Sequence, residues 1–256
     1  MAKDFCFPDN PTELILGGAA TRFRQNVAAL QLLKQMETGA RANDHLSAAE
    51  QRAFAMYSGW GDTEVLQHAF PNGTYAWAKP HAELDGLLTA EETRSLLASS
   101  LNAHYTSLPI IRAIYAALEH FGLGQDGYSR LLELGDDQSV AFGSSPQKLR
   151  VLEPAAGIGH WLGAMPAQWR AKTERAAVEI DALSGRILAR LYPNTKVFIQ
   201  PFEATPLPEN YFDLILSNVP FGNYAVADAS VRENYLKAAI HDYFFVKSLR
   251  LLRPGG

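Results

Sequence analysis

Four short apolar runs, "LRVLEP", "RAAVEI", "TKVFI" and "YFDLILS", follow one another after residue 148. Helical patterns, "HWLGAMPAQWR" and "ALSGRILARLY", separate the first three, and a long one, "RENYLKAAIHDYFFVKSLRLL", follows the fourth. Parallel strands cannot be joined by a tight turn and need a crossover between them, so this alternation predicts a doubly wound, parallel α/β sheet. The texture before it is different. From Asn10 to about Phe121 the apolar residues recur at helical spacing, as with Val27, Leu30 and Leu33, and Gly39 is placed to stop that helix. "SAAEQRAFAMYSG" and "TAEETRSLLASSL" each open with a capping box, Ser47 to Glu50 and Thr89 to Glu92. A further helix, "SLPIIRAIYAALEHFG", ends at Gly122. The expected organisation is a helical N-terminal region over residues 1–104 and an α/β core over 105–256. Turn formers around short apolar pieces mark an insertion at about 124–148.

With 47% hydrophobic and 20% charged residues in 256, the chain has enough apolar side chain for a sizeable core. No apolar run approaches the roughly 18 residues that span a membrane, and Asp4 stands where a secretory signal would be apolar, so a cytoplasmic address is expected. One cysteine and seven histidines without close pairing signal neither a disulfide nor a metal site. A net charge of −4 repels phosphate, so any nucleic acid must be held by a local groove. Arg232 and Lys237 read as a solvated helix face rather than a phosphate clamp.

In a sheet of this kind ligands bind beyond the carboxyl ends of the strands. The first strand leads into "EPAAGIGHW", where Gly157 and Gly159 allow a tight turn and a close approach of backbone to ligand. A lone Gly-x-Gly fits a dinucleotide turn or a purely structural turn equally well. The acid before it separates the cofactors: Glu153 would repel a pyrophosphate and attract a cationic amino acid group, which favours S-adenosylmethionine over a dinucleotide. The second strand ends in Glu179, about 20 residues on, the spacing at which a carboxylate accepts both ribose hydroxyls. Asp181 fits as the cap of the next helix. After the third strand come Phe202, which could stack on an adenine or fill the core, and Glu203, which could accept from the adenine amine or lie on the surface.

The fourth strand runs into "SNVPFGNY". Taken together, "EPAAGIG", "VEID" and "NVPF" in this order resemble the N6-adenine-specific DNA methyltransferases, whose catalytic tetrapeptide is Asn/Asp-Pro-Pro-aromatic. "NAHYTSLPIIRAIYAAL" resembles the Tyr-Thr-Pro segment that covers the methionine end of the cofactor in that family. "YSGWGD" and "LDGLLTAEE" resemble the helical leader of large plasmid and phage proteins that join such a methylase to a helicase. The resemblance implies a class I S-adenosylmethionine-dependent methyltransferase core, Rossmann-like, that stops after its fourth strand behind a helical leader. It implies cofactor contacts from Tyr105, Thr106, Glu153, Pro154, Gly157, Gly159, Glu179, Ile180, Phe202 and Glu203, and catalytic roles for Asn218, Val219, Pro220 and Phe221. Val219 replaces the usual proline, whose work in the family is done by its backbone carbonyl; Leu108 delays Pro109 in "YTSLP".

The chemistry suits the motif. The N6 amine of adenine is a poor nucleophile because its lone pair is delocalised into the ring. If Asn218 and the Val219 carbonyl accept its two hydrogens, the lone pair is freed to face a sulfonium methyl, and positioning replaces a tuned general base. Pro220 stiffens the turn, Phe221 offers a face to a base flipped from the duplex, and Tyr224 is a further stacking ring or a loop residue. The same tetrapeptide serves enzymes acting on protein glutamine or RNA guanine N2, and a fragment of such a protein could bind cofactor or a partner without turnover. Since "LRPGG" ends the chain before a fifth strand, a C-terminal helicase or target-recognition region of the same polypeptide is an expected partner. DNA binding by these residues alone is expected to be weak and without sequence preference.

Overall fold

The computed structural model describes residues 3–9, 17–39, 45–73, 80–100, 105–123, 148–228 and 239–256. The expected insertion, apart from residue 148, and Arg232 and Lys237 lie outside the described residues. Four parallel strands, β1 (Leu149–Glu153), β2 (Thr173–Glu179), β3 (Lys196–Ile199) and β4 (Leu214–Ile215), form one sheet in the order β3-β2-β1-β4. Leu152 stands opposite Ala176 on one side and Ile215 on the other, which fixes the register at the centre. The chain builds outward from β1 to β3 and then returns to the far side of β1, so β1 and β4 flank a topological switch point. A crevice opens there at the carboxyl ends. This is the doubly wound, Rossmann-like architecture that the strand and helix alternation predicts.

One helix and one strand of this half differ from expectation. "HWLGAMPAQWR" forms two short helices, α6 (His160–Ala164) and α7 (Ala167–Arg170), because Met165 before Pro166 takes an extended ψ of 134°. A residue preceding proline is pushed out of the helical region, and proline has no N–H to continue the ladder. "YFDLILS" pairs over only Leu214–Ile215, with Phe212 bridged to Leu252 beyond the last helix, so β4 is a short edge strand. Helices α8 (Ala182–Leu191) and α9 (Ile240–Leu251) complete this half; for the expected long helix beginning at Arg232, residues 232–238 lie outside the described part.

The helical leader supplies α1 (Ala19–Glu37), α2 (Ala48–Ala55), α3 (Thr63–Ala69) and α4 (Ala90–Ser99), and α5 (Leu108–His120) opens the core half ahead of β1. Both capping boxes close: Ser47 with Glu50 at the start of α2, and Thr89 with Glu92 at the start of α4. Helix α3, not expected from the sequence, is capped by Asp62, whose carboxylate accepts from Glu64 and Val65 N–H. One apolar core joins leader and sheet, running from Phe23, Leu30 and Leu33 of α1 through Trp60, Val65 and Leu96 to Ala177 of β2 and Ile187 and Leu188 of α8. Among the described residues no helix is long and apolar enough to cross a membrane.

Candidate functional site

A cavity of about 300 Å³ lies at the carboxyl ends of the strands, at the low end of volumes usual for small-molecule sites. Tyr105, Thr106, Glu153, Pro154, Gly157, Glu179, Ile180, Phe202, Glu203, Asn218 and Pro220 line it, together with Tyr224. Gly159, Val219 and Phe221 are not on its wall. Apart from Tyr105 and Thr106, which enter from the segment before α5, these residues meet because each ends or follows a strand of one parallel sheet.

The glycine turn is built around side-chain contact. Gly157 has a φ of 55°, and a Cβ there would lie 2.6 Å from Cε1 of Tyr105, so the tyrosine ring rests directly on the turn. The Gly157 N–H donates to Oε2 of Glu179 at 2.6 Å, linking the loop after β1 to the end of β2. Gly159, at φ 83°, faces the other way: its Cβ would meet Tyr192 at 2.5 Å and Leu188 at 2.7 Å. Its place is in the packing of the turn onto α8, away from the cavity, where only a glycine allows the approach.

Two carboxyls are buried in this cavity. Glu153 is 2% exposed; burial, and then the neighbouring Glu179, push its pKa well above the usual carboxylate range. Backbone N–H groups of Leu162 and Trp161 in the first turn of α6 favour its ionised form, while its Oε2 has no hydrogen-bond partner among the described residues. Glu179 is raised to about 7, chiefly by burial and also by Asp181, against hydrogen bonds from the backbone of Asp181, Gly157 and Ile180. Asp181 N–H donates to its Oε1 at 2.7 Å. Neither acid faces a cationic side chain among the described residues. Two buried acids that repel one another, one with an unpartnered oxygen, are a site that a cationic group entering the cavity would stabilise. The residues present therefore fit a cofactor that carries an ammonium or sulfonium and ribose hydroxyls, and disfavour a pyrophosphate.

The opposite wall is formed by the loop after β4. Asn218 and Pro220 reach the cavity, Val219 packs with the core cluster of the sheet, and Phe221 and Tyr224 are exposed at 68% and 49%. Phe202 is buried at 3% exposure, its ring 4.9 Å from that of Phe244, and shows the cavity only part of its surface. Ile180 is 62% exposed at the rim.

Several wall residues were not expected from the sequence. Gly59, Trp60, Ser95 and Ala98 come from the leader, and His160, Trp161, Val226, Ile240 and Phe244 from the core half. Ser95 donates to Oδ1 of Asp181 at 3.1 Å, while Asp181 also caps α8 as its sequence position predicts. His160 stacks 4.6 Å from Tyr105, and burial lowers its pKa to about 4 against a hydrogen bond to the Thr106 backbone, so its ring is neutral at pH 7. Nothing local marks Trp60 or Ser95 as site residues; only the packing of α4 and the "SGWGD" turn onto α8 brings them there.

No family model matches the chain. The chain is 28% identical over 187 residues to the defense against restriction protein B of Escherichia phage P1, an alignment covering 68% of this chain and 7% of that protein. The chain therefore spans a small part of the length of this relative. A solved Listeria monocytogenes protein, provisionally assigned to the class I S-adenosylmethionine-dependent methyltransferases, superposes over 93% of this chain and 71% of its own at 17% identity and a TM-score of 0.40. The fold assignment rests on the strand order and register given above.

Proposed function

We propose that this chain is the cofactor-binding and catalytic part of an S-adenosylmethionine-dependent methyltransferase acting on the N6 amine of adenine in DNA. The observation that carries this reading is one cavity whose two walls hold different chemistry: the acids and glycine turn of β1 and β2 on one side, Asn218 and Pro220 on the other. When bound, the cofactor supplies an electrophilic methyl group on a sulfonium. Glu153 is placed for a cationic group and Glu179 for hydroxyls, while Tyr105 lies over the turn and Phe202 with Glu203 forms the wall where a purine would sit. Asn218 Oδ1, on the wall, would accept one amine hydrogen and the backbone carbonyl of Val219, whose side chain packs into the core beside it, the other; the lone pair would then be freed without a tuned base. Phe221 and Tyr224, exposed at the mouth, offer rings to a base taken out of the stack.

DNA is the proposed partner, held weakly by these residues and selected by a further region of a longer polypeptide. The phage relative bears a name that refers to defense against restriction. Methylation of entering DNA, which would mask sites from a restriction endonuclease, is the role we propose here. The test is transfer of a labelled methyl group to duplex DNA, structured RNA and a glutamine-bearing protein in parallel, with Asn218→Ala as the control. Wild type should label adenine in DNA. Asn218→Ala should keep cofactor affinity and melting temperature while losing about 100-fold or more in rate. Val219→Pro should remain active, because its carbonyl is retained. An active Asn218→Ala protein removes the mechanism, and labelling of RNA or protein alone removes the substrate.

A further inference from the structure

The cavity has a buried lysine behind it that the proposed chemistry does not use. Lys247, on α9, is 8% exposed, and its Nζ donates to the Phe202 carbonyl at 2.7 Å, to the Glu203 carbonyl at 3.3 Å and to Oδ2 of Asp228 at 3.2 Å. An ammonium group has three donors, and all three are placed on two loops. Phe202 and Glu203 belong to the turn after β3; Asp228 belongs to the loop after β4 that also carries Asn218, Pro220, Tyr224 and Val226 on the cavity wall. Asp228 is 3% exposed and also accepts from the hydroxyl of Tyr243, one helical turn before Lys247 on the same face of α9. A methionine or leucine would fill this volume without the cost of burying a charge, so a lysine here calls for a task that packing alone does not perform.

We infer that Lys247 is a positioning residue: it ties the loop bearing Asn218 to the turn bearing Phe202 and Glu203, and so sets the width of the cavity between its cofactor wall and its substrate wall. β3 and β4 lie at opposite edges of the sheet, and among the described residues the two loops meet on α9, where Phe202 and Val226 also join the apolar cluster of Ile240, Tyr243 and Phe244. Without the tether each loop keeps its apolar packing on α9, but the polar bridge that sets their separation at the cavity is lost. The catalytic consequence rests on the methyltransferase reading; the tether itself does not. In a positional mechanism a shift of about 1 Å costs on the order of 100-fold in rate.

The test is the double substitution Lys247→Met with Asp228→Asn, which removes both charges of the pair together and keeps an acceptor for Tyr243. Its melting temperature should stay close to wild type. Native-state chymotrypsin should then cut after the exposed Phe221 and Tyr224 about tenfold faster than in wild type, as expected of a loop released from its anchor. Methyl transfer should fall about 100-fold in kcat with cofactor affinity near wild type. Cutting at the wild-type rate in a well-folded double variant overturns the inference. Should that variant melt early, Lys247→Met alone takes its place, since it removes all three tether contacts while Asp228 keeps the Tyr243 hydroxyl; faster cutting supports the tether and an unchanged rate overturns it. A wild-type protein that transfers no methyl group refutes the functional reading, while the cutting rates still decide the tether.

Discussion

Cofactor binding should be proton-linked, and Glu179 sets the window. In the free protein burial holds its carboxyl at about 7, well above the ordinary glutamate value, and Glu153 is raised as well. A raised acid binds its proton more tightly folded than unfolded. Its contribution to stability is therefore greatest below the ordinary carboxyl range and is lost as pH rises through about 7. A ligand whose hydroxyls and positive charge require the carboxylate acts in the opposite sense, because it binds the ionised form. With a pKa of about 7, about half of the Glu179 carboxyls are ionised at pH 7 and about 3% at pH 5.5, so the apparent Kd should rise about 15-fold over that interval. That is about 1.6 kcal/mol. Glu153 steepens the dependence further. Calorimetric titration with S-adenosylmethionine from pH 5.5 to 7, in two buffers of different ionisation enthalpy, reads both affinity and proton release. The interval stays below the range in which the ligand's own amino group titrates. Glu179→Gln should flatten the dependence that Glu179 provides. An affinity independent of pH in wild type, or a Glu179→Gln protein with the wild-type slope, would refute the reasoning.

Two further outcomes follow from contacts at the same cavity. Gly157→Ala places a Cβ 2.6 Å from the Tyr105 ring at a φ of 55°, which should cost about 1–2 kcal/mol in backbone strain alone and displace the tyrosine. Melting temperature and cofactor affinity should fall together; calorimetry showing wild-type affinity would mean that the ring and the turn are not part of the binding site. Phe221→Ala, at a side chain 68% exposed, should leave stability within about 0.5 kcal/mol while weakening DNA binding about 5- to 150-fold if the ring stacks on a base. Fluorescence anisotropy with a duplex carrying an extrahelical adenine measures this, and unchanged affinity excludes the ring from the interface.

Local patterns carried the sequence reading where they are decided by neighbours in the chain. Capping boxes at Ser47 and Thr89 close because cap and partner are three residues apart. The Asp181 cap and the strand-end positions of Glu153 and Glu179 are readable for the same reason, since each is set by the strand or helix it terminates. What depends on distant partners was not legible. "DFCFPD" near the start reads as a polar-apolar mixture, yet Phe5 and Phe7 are buried, their N–H groups bond the Leu191 and Gly163 carbonyls, and Asp4 pairs with Arg175 of β2 at 2.7 Å. Lys247 likewise carries no local mark of burial in the sequence; Asp228 and the Phe202 carbonyl surround it only in the fold. The break at Pro166 is the exception, a local signal that the apolar pattern of "HWLGAMPAQWR" obscured.

The leader explains why a cofactor site of this kind need not be closed by the sheet alone. Lys34 of α1 and Arg186 of α8 both bond Glu92 of α4, and Arg186 also pairs with Glu37. Against the burial that would raise it, Lys34, the Thr89 N–H and Arg186 hold Glu92 at about 2, so this junction stays charged at any ordinary pH. Beside it Ser95 bonds Asp181 immediately after the acidic end of β2, and Ala98 and Trp60 continue the wall. A shared apolar core and a charged junction therefore fix α4 to α8. The leader occupies the side of the crevice that β1 and β2 leave open, as the loops of β3 and β4 occupy the other. On the proposed reading the helical region is half of the container for that chemistry, and its packing against α8 would be as much a condition of cofactor binding as the glycine turn.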